Sequence, residues 1–330
     1  MLNLTKSFLN IFSVSGMEKK LAEVIREELK GVADDAFVDP MGNLLVLRKG
    51  KDSSKKLMIA SHMDEIGFVV TGINSDGFVY VAPVGGINAV ASSFHKVRFL
   101  NGLHGVIVPE HDVKPADLTP KKLVVDIGAK DKKAAEKKVK VGDLCAVEPS
   151  LQRLSGTRYT AKAYDDRIGC VLSVYAALHA GKPAYDTWFV FTVQEEVGCR
   201  GSKTAAFRIM PDYGIALDVT AADECGDGRP VTKLGGGVAI KIKDSSVLCA
   251  PCIVDRLTEL AEQKEIPYQY EVLPYGGTDT SSIQIAGEGC AAGCISIPAR
   301  YIHSPVETVD FKDLQACADL LIAFVENGMA

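Results

Sequence analysis

Short apolar runs separated by polar turns dominate both ends of the chain. Residues 44–47 (LLVL) and 57–60 (LMIA) flank a polar turn and predict two strands. Residues 187–193 (TWFVFTV) carry no charge and are rich in β-branched and aromatic side chains, the composition of a strand buried on both faces. Residues 213–217 and 293–297 read as two more buried strands. Between these runs the period lengthens: Ile168, Val171, Leu172, Tyr175 and Leu178 recur at helical spacing, as do Ile253, Leu257, Leu260 and Ala261, and then Leu314, Leu320, Leu321 and Phe324 in a helix beginning near Asp310. Ser15-x-x-Glu18 has the form of a capping box ahead of a stripe made by Leu21, Val24, Ile25 and Leu29.

The pattern changes in the middle. From residue 67 to 161, short β-rich runs (68–71, 78–81, 96–99, 105–108, 123–127 and 144–147) alternate with Gly, Pro and Asp turns, which predicts a small barrel or sandwich. The expected architecture is therefore an α/β domain with a mixed sheet built from residues 1–66 plus 162–330, interrupted by an inserted barrel-like β domain at 67–161.

Composition narrows the function classes. With 330 residues, 47% hydrophobic and 24% charged, the chain has material for at least one large core. A formal charge of -5 and the absence of a dense basic cluster argue against nucleic acid; the Lys-rich stretch 130–140 is interrupted by Asp131 and Glu136 and reads as a solvated helix. The long uncharged run 77–94 contains Pro83, Gly85, Gly86 and Asn88, so it is not a membrane span. Nine cysteines, an odd number without an export signal, predict free thiols and a cytoplasmic location.

Candidate chemistry gathers at the predicted strand ends. Glu195 and Glu196 follow the 187–193 strand, where open α/β sheets place their ligands, and adjacent residues on extended backbone point to opposite sides and can hold different roles. His62 and Asp64, two apart at a strand end, face one side, so one can ligate a metal while the other fixes its imidazole. Asp165 and Asp166 open a helix, where caps are the ordinary use of such acids. Asp218 ends the 213–217 strand and His303 follows the last one. Each alone has a bland explanation: a solvated glutamate pair, a polar turn, a helix cap, a structural histidine. Together they bring imidazoles and carboxylates to one side of one sheet, a mixed N/O set that suits zinc, cobalt or manganese. Cys249-x2-Cys252 and Cys290-x3-Cys294 read as buried thiols rather than a zinc site, Gly235–Gly237 lacks phosphate-loop spacing, and no G-x-S-x-G occurs.

Six segments, HMDEIG from His62, KAYDDR from Lys162, QEEVG from Gln194, LDV from Leu217, GGTD from Gly276 and RYIHS from Arg300, occur in an order that resembles the M42 metallo-aminopeptidases, the family of the glutamyl aminopeptidases and tetrahedral (TET) peptidases. The resemblance covers nearly the whole chain. It implies two divalent ions per subunit, with His62 and Asp218 on one, Glu196 and His303 on the other, and Asp165 bridging. It further implies Glu195 as general base, Asp64 as the acid beside His62, and a cis peptide after Asp165. The implied activity is removal of N-terminal residues from short peptides with a free amine. The implied assembly is a set of dimers forming a hollow dodecamer through the inserted β module.

Overall fold

The computed structural model describes residues 1–222 and 232–329. Its centre is a mixed 11-stranded sheet. Strands Tyr185–Thr192, Asp52–His62, Tyr213–Ala221 and Ala291–Arg300 lie side by side, all parallel. Leu44–Arg48 runs antiparallel on the outer side of Tyr185–Thr192, and Glu307–Asp310 runs antiparallel to the end of Ala291–Arg300.

The strand sequences explain why this sheet has two cores. Side chains alternate across a strand, and here both sets are apolar. Leu57, Ile59, Phe189 and Phe191 enter the larger core, against helices Lys19–Leu29, Tyr164–His179 and Phe311–Asn327. Their neighbours Met58, Ala60 and Val190 enter a second core, under helices Arg200–Ile209 and Thr280–Gln284. Each fully buried Leu, Ile or Phe contributes roughly 1.5–3 kcal/mol of transfer free energy, which fixes strand order and register on both faces.

Between Gly67 and Val147 the chain forms a closed barrel of six strands around its own core, which includes Phe68, Val97, Phe99, Ile107 and Val125. Gln152–Arg153 and Arg158–Ala161 do not belong to that barrel. They extend the large sheet beyond Glu307–Asp310, so the stretch 67–161 contains both the barrel and the strands that lead back.

Several local readings change. A helix at Leu2–Leu9, without side-chain caps and therefore without a sequence signal, buries Phe8 and Leu9. The capping box is not made: the next helix starts at Lys19 with no side-chain cap bond, Ser15 Oγ donates to Asp64, and Glu18 accepts from loop amides instead. Asp165 and Asp166 keep non-helical backbone, joined by a cis peptide. Asp166 is the cap that starts the regular helix, its Oδ1 accepting from Gly169 N at 3.0 Å. A Cβ at Gly169 would lie 2.2 Å from that carboxylate, so a larger residue there would have to push the cap aside.

Candidate metal centre

The four parallel strands end on the same edge of the sheet, and the candidate residues sit there. His62 is the last residue of its strand. Asp218 lies inside Tyr213–Ala221 rather than at its end, yet that strand pairs with Asp52–His62 only as far as Ala216↔Ala60. Beyond that register the two strands no longer bond, which leaves space between His62 and Asp218. Asp165 enters from the helix start below, and His303 from the turn after Ala291–Arg300.

Asp165 joins two groups of potential ligands. Its Oδ1 is 3.0 Å from His62 Nε2, which is 3.9 Å from Asp218 Oδ1. Its Oδ2 is 3.3 Å from His303 Nε2, which is 3.2 Å from Glu196 Oε2. His62, Asp165 and Asp218 form one trio of closely spaced donors, and Asp165, Glu196 and His303 a second.

Glu195 and Glu196 reach the centre by a route different from the one read in the sequence. The strand stops at Thr192, Gln194 is left-handed at φ 56, and the Glu195 carbonyl accepts from Gly198 and Cys199 N–H groups. The pair therefore occupies a turn, and it is the turn, not alternation along a strand, that sends Glu196 to His303 and leaves Glu195 beside Cys199.

Asp64 ties this turn to His62. Its Oδ1 accepts from Glu195 N at 3.0 Å and its Oδ2 from Glu196 N at 3.2 Å, while Ser15 Oγ donates to Oδ2 at 2.6 Å. His62 Nδ1 lies 3.2 Å from the Asp64 carbonyl and 3.5 Å from its Oδ1, so a proton on Nδ1 leaves Nε2 free toward Asp165. Burial opposes ionisation of Asp64, but the His62 contacts and the donated hydrogen bonds outweigh it and hold its pKa low.

Two further acids brace the site, and the sequence marks neither as part of it. Glu307 accepts from Asp165 N and His303 N, both at 3.0 Å. Glu18 accepts from Gln194 N at 3.1 Å, and burial together with Asp64 pushes its carboxyl up to about 7. The H-x3-E spacing from His303 to Glu307 is a signal for the first. Glu18 carried only the capping pattern, which pointed elsewhere.

The electrostatics describe a site short of positive charge. Burial, Asp165 and Asp166 push Asp218 well above the ordinary carboxylate range. Burial, then Asp279 and Glu196, raise Glu195 to about 8 against the opposing effect of His62. Burial would lower His303, yet Asp165 and Glu196 lift it to about 12. Glu196 Oε1 is buried without a hydrogen-bond partner. Two imidazoles and three carboxylates, with an orphaned oxygen and crowded acids, fit a pair of divalent cations.

A cavity of about 560 Å³ opens on this centre. Glu195, Glu196, Asp218 and His303 line its inner end; Lys241, Asp244, Leu273 and Tyr275 line the rest. Lys241 is ion-paired with Glu271 and lies 3.5 Å from Asp244. Among the described residues, no helix is long and apolar enough to cross a membrane.

Residues 42–320 match the model of the M42 glutamyl aminopeptidase family. A putative aminopeptidase of Acetivibrio thermocellus is 44% identical over 98% of this chain and 97% of its own length. Among solved structures, aminopeptidase APDkam598 from the archaeon Desulfurococcus kamchatkensis superposes with a TM-score of 0.95 at 39% identity, over 99% of this chain and 94% of its own. The Pyrococcus horikoshii TET1 peptidase, which can assemble into a tetrahedron or a large octahedral shell, gives 0.88 at 32% identity, over 99% of each chain.

Proposed function

The chain belongs to the M42 glutamyl aminopeptidase family and is a metal-dependent aminopeptidase, and on that premise we propose which of its side chains do the work. His62, Asp218 and Asp165 would hold one divalent ion, and Glu196, His303 and Asp165 the other. Zinc or cobalt suits this donor set, and manganese is compatible with it. The observation that carries the reading is the position of Asp165, whose two oxygens face two separate trios. When bound, the ions would acidify a water and polarise a peptide carbonyl.

The protein supplies the rest. Glu195 stands outside both trios and accepts the water's proton, then returns it to the departing amine. Two cations beside it would reverse the pKa rise caused by burial and its acidic neighbours, and so keep it ionised. Asp64 fixes the His62 tautomer and, through two backbone bonds, the turn that carries the base. A cavity of about 560 Å³ admits the first residues of a short peptide rather than a folded chain.

The barrel within 67–161 is the self-association module in this reading. Phe94, Val90 and Val141 stand exposed on it, apolar side chains that a second copy of the chain could cover. Dimers assembling into a tetrahedral dodecamer are the assembly we propose, and the likeness to the TET1 dodecamer and tetrahedron supports it. A cytoplasmic enzyme fits the eight described cysteines, all of them free.

The test is a panel of aminoacyl-p-nitroanilides and their N-acetylated counterparts, assayed after chelation and after metal add-back. The expected result is hydrolysis of the free-amine compounds alone, lost on chelation and restored by zinc or cobalt. Release of acetate from the blocked compounds, with no p-nitroaniline freed from the free-amine ones, would assign the same centre to a deacylase.

A further inference from the structure

The turn that carries Glu195 assembles another donor group beside the two trios. Cys199 N bonds to the Glu195 carbonyl at 2.9 Å, which folds the Cys199 side chain back so that its Sγ lies 3.0 Å from Glu195 Oε1. A carboxylate oxygen of Asp279 completes the set, with all three ligand atoms within 4.8 Å of one another. Asp279 is 3% exposed. Its Oδ2 accepts from Thr192 Oγ1 at 2.6 Å, whereas its Oδ1 is buried with no hydrogen-bond partner. Glu195 and Cys199 both line the cavity that opens on the metal centre, so an ion can reach them from solvent.

We propose that Glu195, Cys199 and Asp279 form a third cation site, which takes a soft divalent ion, zinc foremost, when metal is in excess, and stops turnover by occupying Glu195. Formal charge favours a third ion. Asp165, Asp218 and Glu196 leave a pair of dications with one uncompensated positive charge, which Glu195 and Asp279 more than cancel. The sulfur selects the ion, because thiolate prefers zinc over the hard oxygen-seeking cations. On binding, the S–H bond breaks, its proton passes to solvent and an S–metal bond forms; nothing is oxidised or reduced. Loss of turnover rests on the reading of Glu195 as the base, but filling of the site does not.

Cobalt titration of the chelator-stripped full-length protein separates the two. A cobalt thiolate has a near-ultraviolet sulfur-to-metal charge-transfer band that imidazole and carboxylate ligands do not give. The first two equivalents should add activity and no band; further cobalt should raise the band while hydrolysis falls in step. Cys199→Ser should lose the band and shift the inhibitory metal concentration up by about 10-fold or more, the usual scale for disturbing a metal's surroundings. Cys252→Ser, at an exposed cysteine, should keep both. No band at excess cobalt, a band within the first two equivalents, or a band that survives Cys199→Ser each overturns the site. A band that rises with no loss of hydrolysis overturns the inhibition. Should Cys199→Ser not fold, alkylation of the wild-type protein read by peptide mass spectrometry serves instead. Cys199 should be protected by excess zinc and open at two equivalents, and equal labelling under both conditions sinks the proposal.

Discussion

Glu195 is separated from the His303 trio by one residue and one left-handed backbone angle. Gln194 at φ 56, held through its N–H by Glu18, turns the chain so that Glu196 meets His303 while Glu195 stays outside both trios. A carboxamide has the shape of the carboxylate but cannot accept the proton. Glu195→Gln should therefore keep both ions and the fold while turnover falls about 10²–10⁴-fold, the range for removing a general base. Metal analysis beside steady-state kinetics checks this, and wild-type-like turnover would remove Glu195 from its role. The sequence exposed the identity of this pair, because a charge-free β run ending in two acids is an unusual string. It did not expose their geometry: alternation applies to extended backbone, and the pair is in a turn.

At the scale of elements, Glu65 joins pieces of chain that are far apart. Its Oε1 accepts from Ser13 N at 3.2 Å and from Arg167 Nη2 at 3.0 Å, and its Oε2 pairs with Lys162. The loop before the Lys19–Leu29 helix, the exit of the His62 strand and the start of the Asp165 helix are thereby locked under the centre. Burial disfavours the ionised Glu65, yet Lys162 and Arg167 more than offset it and hold its pKa below the ordinary value. Lys162 is itself pushed down by burial, so the pH effect is read from the carboxylate, which has two cationic partners. A lowered folded-state pKa stabilises the fold above the unfolded value near 4.5, and that stability is lost as pH falls through the depressed value. Glu65→Gln should cost about 3–5 kcal/mol at neutral pH, as when one partner of a buried pair is removed. It should also flatten the acid limb of the thermal midpoint of chelated protein. An acid limb as steep as that of the wild type would place the pH sensitivity elsewhere.

At the scale of the whole molecule, the barrel leans on the metal centre. Gly85 and Gly86 follow its strand Val79–Val84. A Cβ at Gly86 would fall 2.5 Å from His303 Nδ1, and one at Gly85, where φ is +80, 3.2 Å from Glu196 Oε2. Both contacts are to the second trio, the one that does not contain His62. Gly86→Ala should therefore displace His303 and lower the metal content of dialysed protein from two ions toward one, with the His62 side still filled. Two tightly held ions in that variant would show that the ring yields without cost. The inserted β module thus packs directly against two of the proposed metal ligands, whatever copies of the chain do at its outer surface.

Local order was legible because it is written locally. Apolar strands, amphipathic helices and the change to short β runs near residue 67 follow from periodicity and residue type, while strand-end position and the family resemblance single out His62, Asp64, Asp165, Glu195, Glu196, Asp218 and His303 as candidates. Tertiary structure decided what those signals cannot encode. Ser15 and Glu18 have the spacing of a helix cap, but packing against Asp64 and Gln194 gives their side chains better partners. Glu307 and Asp279 matter through what they touch across the fold, and residues 152–161 leave the barrel because their backbone finds its hydrogen bonds in the large sheet. A side chain's preference is set by its own neighbourhood in sequence, while its partner is set by which distant elements the two cores press together.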